Sequence, residues 1–145
     1  MLTNPSTSLQ EQPRTGSCTY VLMTAAYNEE ANIERTIKSV LSQTLLPARW
    51  VIVSDGSSDR TDEIVQSYTE KHGFIRFLRV ARAPGRSFGS KVRALHAGSE
   101  ILKDVRSDFI GNLDADVSVP PSYFEDLIAH FERRPTLGLA GGFVY

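Results

Sequence analysis

Asp114 and Asp116 stand one residue apart in "NLDAD", where an apolar run from Phe109 ends and Pro120 and Pro121 follow. Like charges so close repel, and the pair is costly unless a cation or a developing positive charge lies between them. Two hard carboxylate oxygens suit Mg²⁺ or Mn²⁺, which takes few protein carboxylates and fills its other positions with water and phosphate oxygens. Helix or turn capping is the simpler alternative for either aspartate. A calcium loop fits only in part. Asp114, Asp116, Ser118 and Glu125 fall at loop positions one, three, five and twelve, but Val119 stands where the sharp turn needs glycine, and the run before it reads as a strand.

Three further stretches carry residues able to do chemistry. In "SDGSSDRT" (54–61), Asp55 ends an apolar run, Gly56 permits a tight turn, and Ser58 or Asp59 can cap the next helix. In "ARAPGRSFGSK" (81–91), Arg82, Arg86 and Lys91 sit beside a helix start and can neutralise phosphates. This is not a P-loop: three residues separate Gly85 from Gly89 where four are needed, and Ser90 intervenes before Lys91. There is no GxGxxG fingerprint either. "AAYNEE" (25–30) follows the first apolar run. His72, His96 and His130 fall within predicted helices, away from strand ends, and read as structural.

The elements that must position these residues alternate along the chain. "CTYVLMTA" reads as a first strand. Asn28 then offers a cap, with Glu29 and Glu30 at the positive start of a helix that buries Ile33, Ile37, Val40 and Leu41. "WVIVSD" is a second strand, followed by a helix over 61–72 that Gly73 stops, and "FIRFLRV" is a third strand with one wetter face. A helix over 90–103, a fourth strand "SDFIGNLDAD", a helix opened by Pro120, Pro121 and Ser122, and a fifth strand "LGLAGGFVY" complete the pattern. Strands separated by helices need crossovers, which predicts an α/β fold: a mostly parallel sheet with helices on both faces. Ligands of such sheets bind at the carboxyl ends of the strands, where all four motifs fall.

Length and composition bound the alternatives. A chain of 145 residues makes one domain, expected over 18–145, behind a disordered polar lead at 1–17. A formal net charge of -1 gives no nucleic-acid footprint. Cys18 is the sole cysteine, so no internal disulfide forms and a thiolate metal cluster is excluded. No apolar run reaches the roughly 20 residues that span a bilayer, and the opening lacks a secretory signal. A soluble, cytoplasmic chain is expected, with any membrane association supplied by segments outside it.

Taken in order, "AAYNEE", "SDGSSDRT", "GSKVRALHAG" and "NLDAD" resemble the family 2 glycosyltransferases of the GT-A fold, from about Thr19 to Tyr145. The resemblance implies a donor site for a nucleoside diphosphate sugar, a UDP- or GDP-sugar. Ala25, Ala26 and Tyr27 match the segment that packs on the base, Glu29 the acid near ribose and base, and Asp55 the aspartate that hydrogen-bonds the base. Lys91 lies near the donor, and His96 stands where Asn is commoner. Asp114, Ala115 and Asp116 form the DxD motif, Asp116 as metal ligand and Asp114 reaching ribose or metal. The implied reaction is inverting, metal-dependent transfer to a hydroxyl of an unknown saccharide, lipid or protein. In the family the catalytic base lies beyond the strand matching "LGLAGGFVY", so it is expected beyond Tyr145, and the chain is expected to be a donor-binding part of a longer enzyme. A non-catalytic nucleotide-binding module shares every donor motif. A nucleotidyltransferase would carry a basic, Gly-rich loop where this chain has acidic "YNEE".

Overall fold

A computed structural model describes residues 18–82, 84 and 88–142. Four strands, β1 (Tyr20–Ala26), β2 (Arg49–Asp55), β3 (Ile75–Val80) and β4 (Phe109–Asn112), form one sheet in the order β3-β2-β1-β4. Every pairing is parallel, with Val21 opposite Arg49, Tyr20 opposite Phe109 and Trp50 opposite Ile75. The helices are α1 (Ile33–Leu41), α2 (Thr61–Thr69), α3 (Phe88–Leu102) and α4 (Tyr123–Arg133).

The central strands are apolar on both sides because both sides are covered. One face carries Tyr20, Leu22, Trp50, Ile52 and Ile75 against Ile33, Ile37 and Val40 of α1, Val65 of α2, and Phe124 and Ile128 of α4. The other carries Val21, Val51 and Val53 against Ala94 and Leu102 of α3. Burial of an aliphatic side chain of this kind contributes about 1.5–3 kcal/mol, so this two-sided core dominates the stability. The indole N–H of Trp50 donates to Thr24 Oγ1 at 3.0 Å, which satisfies the polar atoms buried with it. The Tyr20 hydroxyl likewise donates to the Leu45 carbonyl at 2.6 Å, and burial pushes its pKa well up.

The α/β class, the parallel sheet and the two helical layers are as expected from the sequence. Besides α2, which ends at Thr69 and not at 72, three local expectations are not met. First, α1 does not start after Asn28. Asn28 takes a left-handed conformation (φ 51°), and the helix begins only at Ile33, whose N–H donates to the Glu29 carbonyl at 2.8 Å. Asn28 is drawn aside because its Oδ1 accepts from Ser58 N–H at 2.8 Å, across the chain in the next loop. Second, β4 ends at Asn112 rather than 116, and Leu113 N–H makes a last bond to the Met23 carbonyl at 3.0 Å. Third, residues 137–142 form no strand; 143–145 lie outside the described residues. Gly142 N–H instead donates to Tyr123 Oη at 2.9 Å, tying this segment to the start of α4.

Candidate functional site

The carboxyl ends of β1, β2 and β4 open onto one cleft of about 370 Å³, lined by Ala25, Ala26, Tyr27, Glu29, Asp55, Arg82, Ser90, Lys91, Asp114, Ala115 and Asp116. Nine of these are the donor-site residues the sequence points to. Arg86, the tenth, lies outside the described residues. Arg82 and Ser90 were not in that set, although Arg82 sits just past the end of β3, at the same sheet edge as the rest. Ser90 is legible in the sequence only as the residue that breaks a P-loop pattern. His72 packs between Tyr68 and Phe74, while His96 and His130 are exposed on α3 and α4, away from this cleft.

At one end of the cleft Asp55, the last residue of β2, is 4 % exposed. Its Oδ2 accepts from Arg82 Nη1 at 3.2 Å and from Ser90 Oγ, and its buried Oδ1 has no hydrogen-bond partner among the described residues. The Arg82 guanidinium also lies over the Tyr27 ring, 3.4 Å from its centroid, an arrangement favoured by the negative face of the ring. Gly56 makes this end possible. Its φ is 67°, and a Cβ there would lie 2.9 Å from Arg82 Cβ and 3.1 Å from Arg82 N. Glycine therefore serves both the left-handed turn and the close approach of the loop after β3.

The loops after β1 and β2 are laced together beside it. Asn28 N–H donates to Ser57 Oγ at 3.1 Å, Glu29 N–H to Thr61 Oγ1 at 2.8 Å, and Glu30 N–H to Asp59 Oδ2 at 3.0 Å. Burial alone would raise the Asp59 carboxyl pKa. Bonds from the Thr61 hydroxyl and N–H, and from Glu30 N–H, outweigh it and hold the carboxyl below its usual range. The Glu29 carboxylate accepts from Asn32 Nδ2 at 3.2 Å, which orients it.

At the other end, "DAD" follows β4 with period-two alternation. Ala115 is buried in the core and its carbonyl accepts from Thr36 Oγ1 at 2.8 Å; the Asp116 carbonyl accepts from Arg35 Nη2 at 3.4 Å. Helix α1 thus fixes the backbone, and the flanking carboxylates of Asp114 and Asp116 are left exposed at the cleft. Lys91 Nζ lies 2.6 Å from Asp114 Oδ1. The Asp116 carboxylate has no ion-pair partner among the described residues. Exposed, hard and oxygen-only, this pair fits a Mg²⁺ or Mn²⁺ ion that takes phosphate and water for its other ligands. Among the described residues no group of three or more His, Cys, Asp or Glu could hold a metal ion. Among the described residues no helix is long and apolar enough to cross a membrane.

The chain is 33% identical over 118 residues to the poly-beta-1,6-N-acetyl-D-glucosamine synthase of Staphylococcus aureus (strain COL), and 31% to that of Staphylococcus epidermidis. Each match covers 81% of this chain and 26% of the relative, so the chain spans about a quarter of their length. In structure it resembles Staphylococcus aureus TarS in complex with UDP, with a TM-score of 0.64 at 21% identity over 88% of this chain and 38% of that one. It also resembles the mannosyltransferase PcManGT of Pyrobaculum calidifontis in complex with GDP-Man and Mn²⁺, with a TM-score of 0.66 at 21% identity over 86% and 35%. These neighbours carry the GT-A fold. The model of glycosyl transferase family 2 matches residues 21–145, and the chain belongs to that family.

Proposed function

We propose that residues 18–145 form one donor-binding unit that holds a nucleoside diphosphate sugar along the cleft, base toward Asp55 and diphosphate toward Asp114 and Asp116, for inverting transfer to an acceptor hydroxyl. The observation that carries this reading is the convergence of four separated stretches on a single cleft with unlike ends. One end is aromatic and hydrogen-bonding, with Tyr27 and a buried carboxylate; the other has two exposed carboxylates and a lysine.

Each residue then has a physical task. Tyr27, 40 % exposed, offers ring surface to a base, and Ala25 and Ala26 leave room beside it. Asp55 Oδ1 accepts a base N–H, a bond to a charged group worth about 1.5–3 kcal/mol. Lys91 brings positive charge to the diphosphate end, and Glu29 accepts from ribose hydroxyls. A Mg²⁺ or Mn²⁺ ion held by Asp116 and Asp114 supplies Lewis-acid stabilisation of the departing diphosphate when bound. The four carboxylates of the cleft are thereby all engaged with the donor, and the base that takes the acceptor's proton is assigned to none of them.

Calorimetry tests this directly. The chain binds UDP or GDP more tightly with Mn²⁺ than with a chelator. In Asp116→Ala the metal-dependent part of the affinity disappears, while stability stays within about 0.5 kcal/mol because the side chain is exposed. Metal-dependent affinity that survives in Asp116→Ala would remove the metal from this aspartate.

A further inference from the structure

The Asp55 carboxylate is held asymmetrically. A carboxylate oxygen has about two lone-pair directions, and Oδ2 uses both, one for Arg82 Nη1 at 3.2 Å and one for Ser90 Oγ. Oδ1 is buried with no partner among the described residues, in a residue that lines the cleft. A buried acceptor without a donor is unfavourable by itself, and a ligand N–H that reached it would supply the missing bond. Ser90 is 5 % exposed and is the third residue of α3, so the helix holds its backbone in place.

Resting on the donor-binding reading above, we infer that Ser90 is a positioning residue that restricts Asp55 to a single accepting oxygen and thereby selects uracil over guanine. The edge of uracil presents one N–H, at N3, between two carbonyl groups. Guanine presents N1–H and the exocyclic amino group side by side, two parallel donors that a carboxylate satisfies only with both oxygens. With Oδ2 saturated by Ser90 and Arg82, guanine leaves one N–H unpaired in a desolvated position, whereas uracil leaves none. Cytosine has an acceptor nitrogen where uracil has N3–H, and the carboxylate repels it. Ser90 touches no part of the ligand in this scheme. It acts by filling one side of Asp55, and the hydroxyl is the part that matters.

The test is calorimetric titration of the 145-residue chain and its Ser90→Ala and Ser90→Thr variants with UDP, GDP, CDP and inorganic pyrophosphate, all with Mn²⁺. The unsubstituted chain is expected to favour UDP over GDP by roughly ten- to a hundredfold, the equivalent of one hydrogen bond to a charged group, with CDP weaker still. Ser90→Ala, by freeing Oδ2, lowers the UDP-to-GDP preference by about tenfold or more, Ser90→Thr restores it, and pyrophosphate affinity is the same in all three. A structural role for Ser90 would weaken every ligand alike. An unchanged UDP-to-GDP ratio in Ser90→Ala, or GDP binding as tightly as UDP to the unsubstituted chain, overturns the inference. Failure of both nucleotides to bind the unsubstituted chain overturns the donor-binding reading itself.

Discussion

Asp59 shows how one side chain outside the cleft helps to build it. Its carboxylate accepts from Thr61 Oγ1 at 2.6 Å, Thr61 N–H at 2.9 Å and Glu30 N–H at 3.0 Å, so it ties the loop after β1 to the start of α2. Because its folded pKa is depressed, its contribution to stability is present above the ordinary aspartate value, about 3.9, and is lost as pH falls through the lower folded value. Asp59→Asn is therefore expected to be less stable than the parent at pH 7 and to close much of that gap at pH 3. Urea denaturation at the two pH values measures this, and an equal gap at both would contradict it. Tyr27, Glu29, Asp55, Asp114 and Asp116 were legible because each stands at or just past the end of an apolar strand, on the sheet edge where ligands of parallel sheets bind. Lys91 was legible from its place beside a helix start. Ser90 was not legible in that way. Nothing local to "FGSKV" reveals that the first turn of α3 reaches the end of β2, since that depends on the path of the loop after β3.

At the scale of elements, two glycines set how closely the parts approach. A Cβ on Gly111 of β4 would lie 2.5 Å from Leu22 Cδ2, so the tip of this fully buried side chain would have to shift. Gly111→Ala is expected to cost about 1–3 kcal/mol by overpacking, measured by equilibrium denaturation. Gly56→Ala combines a left-handed backbone with contact on Arg82, so it is expected to lose about 1–3 kcal/mol and also to weaken UDP binding by displacing Arg82 from Asp55. If Gly56→Ala loses stability yet binds UDP unchanged, Arg82 does not help to organise the base end. Helix positions followed from spacing wherever tertiary partners agreed with local preference. Asn28 is one exception: its sequence context reads as a cap, but the bond from Ser58 N–H holds it in a left-handed turn and delays α1 to Ile33. The segment 137–142 is apolar enough to read as a strand, yet Gly142 is tied to the Tyr123 hydroxyl instead.

The whole molecule is a sheet that gathers four chain segments, distant in sequence, along one edge and leaves a cleft with two chemically different ends. Alternation of strands and helices made the class and the parallel sheet legible, because crossover connections admit few other solutions. The central claim is that the two ends divide the donor between them, base at Asp55 and diphosphate with metal at Asp114 and Asp116. Calorimetry of Asp55→Ala and Asp116→Ala with uridine, with inorganic pyrophosphate and Mn²⁺, and with UDP and Mn²⁺ tests it most directly. The account predicts a crossed pattern. Asp55→Ala weakens uridine and UDP by about 1.5–3 kcal/mol and leaves pyrophosphate unchanged, whereas Asp116→Ala abolishes metal-dependent pyrophosphate and UDP binding and leaves uridine unchanged. Equal losses for all three ligands in either variant, or no loss in both, would contradict it.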